Sequence, residues 1–518
     1  MAVGNEADVG LLDVLEYLVE DDSTSVIGVV MESLDDGDRF AGIAHRAHAL
    51  AKRMVALKIG RSSAGAHAAQ AHSSRLSGSA RAYDALLSSC GVASVRSVES
   101  LTGACVVLSA EFDSGRTGKH VQNDLSLTCI STSGAGGALL ADFAEDRRLS
   151  LVCGGSGSWN PSVSAELESI TSQGKIAHPL DVGILKGNWA AADDFMAVLE
   201  RHGHDGPVAA YVHNGPTGKR DMDLLQALNA RRKRSTAPVV VAAPGGLDEA
   251  LTNQYLDHGI PVFRDMTSCF DALQAWQATR HFMMEVPPPV STSSRTTPPS
   301  GRLPRVLSEL ESAQLLRSAG IPVVDSFIVV SASAAVAALT ACSGSAVMKA
   351  APEGVAHKND AGLVLTGLES QDDVLQAFET LQARIGDEGF AIETPIFMQP
   401  MLRARAELIV GVASEPGLGY FLLVGLGGIH AEVLDQVVVL PVNSSRARME
   451  AATRTSTVGR LLNHLDPDGA CLEEVLTILV KLRTFLSNQS GAIESLDLNP
   501  VLVTRSGCIA VDALINQR

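Results

Sequence analysis

Apolar and polar positions follow two different rhythms along this chain. Up to about residue 286, short apolar runs are separated by helix-length segments with one polar face. Ser25–Met31 (SVIGVVM) predicts a buried strand, Arg39–Ala51 a helix and Met54–Lys58 a second strand, before a Gly/Ser/Ala-rich loop that starts at Gly60. The pattern restarts with a strand over Leu125–Ile130, a tight glycine turn at Ser133–Gly137 and a helix over Ala138–Asp146. Pro207–Val212 with Asp221–Ala230, and Pro238–Ala242 with Leu247–Gly259, repeat the unit. Uninterrupted apolar strands alternating with helices imply parallel sheets covered on both faces. Ligands are then expected at the carboxyl ends of the strands.

The rhythm breaks between Pro287 and Pro304, where six prolines stand among Ser, Thr, Arg and Gly. Proline at that density blocks helices and central strands, so this stretch reads as an extended linker. Beyond it, Ser308 and Glu311 form a capping-box pattern ahead of Leu315 and Leu316, and Gly320-Ile321-Pro322 ends that helix. Strands are expected over Ser345–Lys349, Phe397–Met401, Glu407–Val412, Phe421–Val424 and Val437–Leu440, with more antiparallel character. The fold class is therefore α/β: doubly wound parallel-sheet domains over 1–115 and 116–286, a linker over 287–304 and an α+β domain over 305–518.

Composition narrows the function. Lys and Arg number 41 against 58 Asp and Glu, a formal net charge of −17, which gives no support to a nucleic-acid or membrane-surface partner. No apolar run approaches the roughly 20 residues of a membrane helix. The acidic start of the chain does not resemble a secretory signal. Eight scattered cysteines without a CxxC pair read as buried reduced thiols of a cytoplasmic protein.

Candidate chemistry falls in both halves. Lys349 ends an apolar strand, and an inward lysine needs an anion, for which phosphate is the obvious choice. Gly425, Gly427 and Gly428 (VGLGG) make a loop whose N–H groups can approach phosphates. A hairpin joining Asp497-Leu498-Asn499-Pro500 to Asp512 would bring Asn499 and Asp512 side by side as oxygen ligands for Mg2+. The run Arg231–Arg234 closes a helix and reads as a solvated face.

The order of these pieces carries a family. LSELESAQLLRSAGIPV, VMKAAPEGVAHKNDAGLVL, FMQPMLRARAELIVGV, LLVGLGGIHAEV, LDLNPVLV and VDALI together resemble the ATP-grasp half of the ADP-forming acyl-CoA synthetases, over most of Leu307–Asn516. The resemblance implies that Lys349, with Gln399 and Met401, lines an ATP site, and that Asn499 and Asp512 hold Mg2+. Glu407 falls in the family's E-x-x-x-G element and His357 in its HKSD-like element. In the first half, Lys58-Ile59-Gly60-Arg61-Ser62 leading to Ala71-His72-Ser73-Ser74-Arg75 resembles the family's K-x-G-R-S and S-H-T-G-A elements. That places the phosphorylated histidine at His72, with Glu32 as the acid orienting its ring and Asp497 as a second acid from the ATP-grasp half. Gly60 and Arg61 belong to the same phosphate loop; Arg75 stands where Ala is usual and is a candidate anchor for phosphate or a substrate carboxylate. His178-Pro179-Leu180-Asp181 resembles N-P-x-D-V, with His in place of Asn, and Ser133–Gly137 resembles the S-x-G-G turn.

The implied architecture is two flavodoxin-like domains followed by ATP-grasp, without the family's CoA-binding domain. A separate CoA-binding subunit is expected, against loss of CoA chemistry or a truncated gene product. The implied function is an ATP-dependent acid–thiol ligase working through an acyl phosphate and a phosphohistidine, with ATP, Mg2+ and CoA, in an oligomer. Two alternatives are kept: a catalytically degenerate nucleotide-binding subunit, and a ligase or lyase with a different final step. The stretch Asp435–Pro441 lacks the Arg of the family's D-x-x-x-R-x-x-P element.

Overall fold

The computed structural model describes residues 3–518 apart from positions 5, 7, 63, 65–78, 113–124, 154–158, 171–176, 183–190, 214–218, 285–304, 353–360, 392, 429–435 and 490–491. The chain divides into two compact units, Met1–Pro289 and Val290–Arg518.

The first unit holds two parallel sheets. One is β1 (Val26–Met31), β2 (Arg53–Lys58) and β3 (Ala93–Val95), in that order. The other comprises β4 (Thr128–Ser131), β5 (Leu180–Asp181), β6 (Val208–Tyr211), β7 (Val239–Ala242) and β8 (Val262–Phe263), ordered β5-β4-β6-β7-β8. This is the doubly wound order, in which the winding reverses between β4 and β6. Every residue of β2, β4, β6 and β7 is buried, as a strand covered on both faces requires. The two sheets share one core. Val55, Leu57 and Val95 cluster with Cys129, Ala209, Val240 and Trp276. Asp271 of the helix Met266–Met284 adds a polar tie by accepting hydrogen bonds from Ser100 Oγ at 2.7 Å and Arg147 Nε at 2.8 Å.

Two expectations change here. Ser133–Gly137 is not a free turn: Ser133 Oγ accepts from the Gly136 N–H, and the helix runs from Gly134 to Asp146. The glycines form its first turn because Gly136 lies where a Cβ would strike the Tyr211 ring. Nor is the whole of Arg231–Arg234 a solvated face: Lys233 and Arg234 are exposed, but Arg231 is not. Arg231 is 2 % exposed, pairs with Asp205 at 2.9 Å and Glu200 at 3.2 Å, and donates to the Gly206 carbonyl. Arg234 pairs with Asp193 and Glu200. The acids come from elements remote in sequence, so helix periodicity alone does not reveal them.

The second unit contains β9 (Arg305–Val306), β10 (Phe327–Ile328), β11 (Ala346–Ala350), β12 (Val364–Leu368), β13 (Ile396–Pro400), β14 (Ala406–Glu415), β15 (Gly419–Leu426), β16 (Val437–Pro441), β17 (Ile493–Val503), β18 (Cys508–Ala510) and β19 (Ala513–Gln517). They form a four-stranded antiparallel sheet, β10-β13-β11-β12, and a seven-stranded antiparallel sheet, β16-β15-β14-β17-β19-β9 with β18 on β17. In the larger sheet Leu408, Val410, Val412, Leu496, Leu498 and Ile515 pack against Met449, Val458, Leu462, Leu476 and Leu479 of three helices. Side chains alternate across a strand, so the intervening positions turn to the opposite, open face. There Glu407, Asp497 and Asn499 are exposed.

Among the described residues no helix is long and apolar enough to cross a membrane. All eight cysteines are free, five of them buried.

Candidate functional site

Lys349 and Gln399 share one face of the smaller sheet, because Val347 pairs with Gln399 and Lys349 with Phe397. The Lys349 side chain is buried, and a buried ammonium requires partners. It forms an ion pair with Glu309, donates to the Val511 carbonyl at 3.0 Å and stands 3.9 Å from Asp512 Oδ1. Gln399 Nε2 donates to the same carbonyl at 3.2 Å and to Ser326 Oγ at 2.8 Å. The Val511 carbonyl thus ties β11 and β13 to the segment entering β19. Met401 follows β13 and stays 42 % exposed, an apolar side chain suited to cover a flat ring.

The anion that Lys349 meets within the chain is therefore Glu309, which no sequence motif singles out. The expected capping box is present, with Ser308 N donating to Glu311 Oε2 at 2.9 Å. It starts the helix Glu309–Ser318 and so fixes Glu309 as its first residue. No local spacing signals a contact between residues 309 and 349.

On the open face of the larger sheet, Asp497 pairs with Gly411 on one side and Leu514 on the other. Gly411 belongs to the E-x-x-x-G element, and a Cβ there would lie 2.8 Å from the Leu496 carbonyl. Asp497 reaches solvent, yet protein encloses it on most sides. That burial, with the Asp512 carboxylate as the lesser cause, holds its pKa above the ordinary Asp value. The Leu498–Ala513 pairing is the last of this ladder, which puts Asn499 and Asp512 at the next register step. Gly427 N donates to the Glu407 carbonyl at 2.7 Å, and Gly428 has φ +83°. A Cβ on Gly427 would fall 2.9–3.1 Å from the Glu407–Leu408 backbone, and one on Gly428 would fall 3.4 Å from Glu407 Oε2. His357 lies outside the described residues.

These oxygens fit a magnesium ion. Among the described residues no group of three or more His, Cys, Asp or Glu is placed to cage a metal. Magnesium bound to a nucleotide needs no such cage: one or two protein oxygens suffice beside phosphates and water. Asn499 and Asp512, one register step beyond the Leu498–Ala513 pair, would offer an amide oxygen and a carboxylate of that kind.

In the first unit, Glu32 follows β1 and Lys58 ends β2, with Met31 and Lys58 paired in register. Lys58 is 1 % exposed, donates to the Ile59 carbonyl and lies 4.6 Å from the centre of the Tyr83 ring. Burial first, and the Arg61 cation second, lower its pKa, while Glu32 opposes the shift. Gly60 has φ +68°, a backbone that favours glycine. Arg61 pairs with Asp84, and its Nε and Nη1 are buried with no hydrogen-bond partner among the described residues. His72 and Arg75 lie outside the described residues.

At the second sheet, His178 Nε2 accepts the Cys129 N–H at 2.8 Å, so the ring proton sits on Nδ1. Burial lowers its pKa to about 4. It packs edge-on against Trp159, 5.7 Å between ring centres.

With the geometry in view, comparison with known proteins places both units. The ATP-grasp domain family matches residues 301–516, and the family described as succinyl-CoA ligase like flavodoxin domain matches residues 1–108. The chain is 26 % identical to a 4-hydroxybutyrate--CoA ligase [ADP-forming] of Nitrosopumilus maritimus, over 99 % of this chain and 74 % of that protein. Two separate chains of Pyrococcus furiosus also match. The alpha subunit of its acetate--CoA ligase [ADP-forming] I is 26 % identical over 53 % of this chain and 57 % of its own length. The beta subunit is 28 % identical over 40 % of this chain and 90 % of its own length.

Proposed function

The chain belongs to the superfamily of ADP-forming acyl-CoA synthetases and succinyl-CoA ligases; from that premise we propose that it is an ATP-dependent acid–thiol ligase. The reaction is acid plus CoA plus ATP giving acyl-CoA, ADP and phosphate. The observation that carries the reading is the grouping of Lys349, Gln399 and Asp512 about the Val511 carbonyl, beside an open sheet face bearing Glu407, Asp497 and Asn499.

Each residue then has a task. Lys349 and Gln399 orient the nucleotide, Met401 covers the base, and the backbone at Gly428 approaches the phosphates while Glu407 borders them; Gly427, its own N–H held by the Glu407 carbonyl, fixes that loop against the strand. Asn499 and Asp512 would hold Mg2+, which when bound offsets phosphate charge. At His72 one imidazole nitrogen attacks the γ-phosphorus as the bond to the ADP oxygen breaks. A carboxylate holding the other ring nitrogen fixes the tautomer. Glu32 and Asp497 are the acids we assign to that ring, one for each half-reaction. Gly60, Arg61, Arg75 and His357 are assigned to phosphate and loop contacts; two buried guanidinium nitrogens of Arg61 that find no acceptor among the described residues support its part. The phosphoryl group passes from His72 to the acid, and the thiol of CoA displaces phosphate from the acyl phosphate. We place CoA on a separate subunit and the enzyme in the cytoplasm.

Incubation with γ-labelled ATP tests this. Acid-labile label on the chain that disappears in His72→Asn supports the phosphohistidine; equal labelling of the variant rejects it. A second reading, a nucleotide-binding subunit without turnover, draws on the fact that the Lys349 ammonium already has an internal anion. Nucleotide binding without ADP release, in the presence of acids, CoA and the CoA-binding partner, would favour it.

A further inference from the structure

We propose that Glu309 is a positioning residue that takes the Lys349 ammonium into direct contact and so limits its hold on Asp512, with which it pairs only at 3.9 Å, leaving that carboxylate better able to take a magnesium ion. The inference rests on the nucleotide-site reading above and adds a residue to it.

Two carboxylates compete for one cation. Lys349 is buried at the end of an apolar strand and has two carboxylates within reach. Glu309 is in direct contact with it, whereas Asp512 Oδ1 stands at 3.9 Å, beyond a hydrogen bond. The Val511 carbonyl takes another of the ammonium's donors at 3.0 Å and holds it beside, not upon, its sequence neighbour Asp512. The Glu309 side chain is itself only 8 % exposed. It sits at the first position of a helix whose start is set by Ser308 and Glu311, so its backbone is fixed independently of the lysine. Acids are also favoured at that position by the helix dipole, and the test must separate that role from the one proposed. Without Glu309, a buried ammonium left short of an anion closes on the nearest carboxylate, Asp512. A carboxylate so neutralised is a poorer ligand for a hard cation.

The full-length protein is titrated with ADP by isothermal calorimetry at increasing Mg2+, and the Mg2+ concentration that gives half-maximal nucleotide binding is read. In Glu309→Gln it rises by about tenfold, within the usual range for coupled sites, while binding measured in EDTA changes far less. In Lys349→Met there is no ammonium to misdirect, so adding Glu309→Gln leaves the midpoint where Lys349→Met alone sets it. A shift that persists in the Lys349→Met background would mean that Glu309 acts through the helix and would overturn the proposal. So would an unchanged midpoint in the single variant. If Glu309→Gln does not fold, Glu309→Asp keeps a carboxylate one methylene shorter. It should shift the midpoint less and in the same direction, and again only when Lys349 is present; no shift overturns the proposal. A wild-type chain that binds ADP with no Mg2+ dependence overturns the nucleotide-site reading itself, a different result from any of these.

Discussion

At Lys349 the interior carries a cation that hydrophobic packing alone would expel. Burying an unpaired ammonium is costly, and removing one partner of a buried ion pair typically destabilises by about 3–5 kcal/mol. Lys349→Met therefore leaves Glu309 without its cation. We expect a lower melting temperature of the second unit in calorimetry and at least about tenfold weaker ADP binding, the equivalent of roughly 1.4 kcal/mol. The glycines of the VGLGG loop are constrained in two ways. Gly428 has a left-handed backbone, whereas Gly427 presses on the β14 backbone. Gly428→Ala should cost about 1–2 kcal/mol from backbone conformation alone. Gly427→Ala should cost more, because its 2.9 Å approach is to main chain that cannot rotate away. Urea unfolding of the two variants gives the ranking, and equal effects would contradict it. That glycines were needed here is readable from the sequence. That Gly427 is required by the neighbouring strand, and not only by a phosphate, is not, because strand separation is a tertiary quantity.

Among the elements, the helix Glu309–Ser318 does more than cover the sheet. Its capping box is local chemistry, visible as S-x-x-E, and it sets the residue from which Glu309 reaches Lys349. Ser308→Ala should destabilise by about 1 kcal/mol. If the cap sets the geometry of that pair, ADP binding should also weaken at low Mg2+ more than at saturating Mg2+. The strand β17 shows how far register can be read. Its alternation of Leu496 and Leu498 with Asp497 and Asn499 assigns the two faces by period alone. Its pairing with Gly411, and the turn of the chain at Val511 that brings Asp512 beside Asn499, depend on β18 and β19 both using β17 as partner. The helix Lys219–Arg234 carries the opposite lesson. Its terminal basic run looks solvent-facing by composition, yet Arg231 is taken into the interior by Glu200 and Asp205.

For the whole molecule, two buried histidines should make the first unit sensitive to mild acid. In the first, His178 and His48 are held neutral chiefly by burial, with pKa values lowered to about 4 from the ordinary 6.5. An unfolded chain binds these protons between pH 6.5 and 4 while the folded one does not. Unfolding thus takes up protons, and stability falls as pH drops through that window. Each histidine contributes a slope of about 1.4 kcal/mol per pH unit there. Urea unfolding followed by tryptophan fluorescence, all three tryptophans lying in the first unit, should show that unit weakening between pH 6.5 and 4. His178→Asn, the residue type that the motif N-P-x-D-V carries, should reduce the slope by one proton. An unaltered slope would mean that His178 titrates normally.

Reading along the chain is enough for the succession of elements, the two sheet types, the linker composition and the positions of Lys349, Asn499 and Asp512 as candidates. All of these follow from periodicity and short-range spacing, which depend only on neighbours along the chain. Tertiary structure alone decided that Glu309 meets Lys349, that Arg231 is buried and that protein closes around Asp497. Alternation says which face of an element a side chain takes; only packing says what charge waits on the other side.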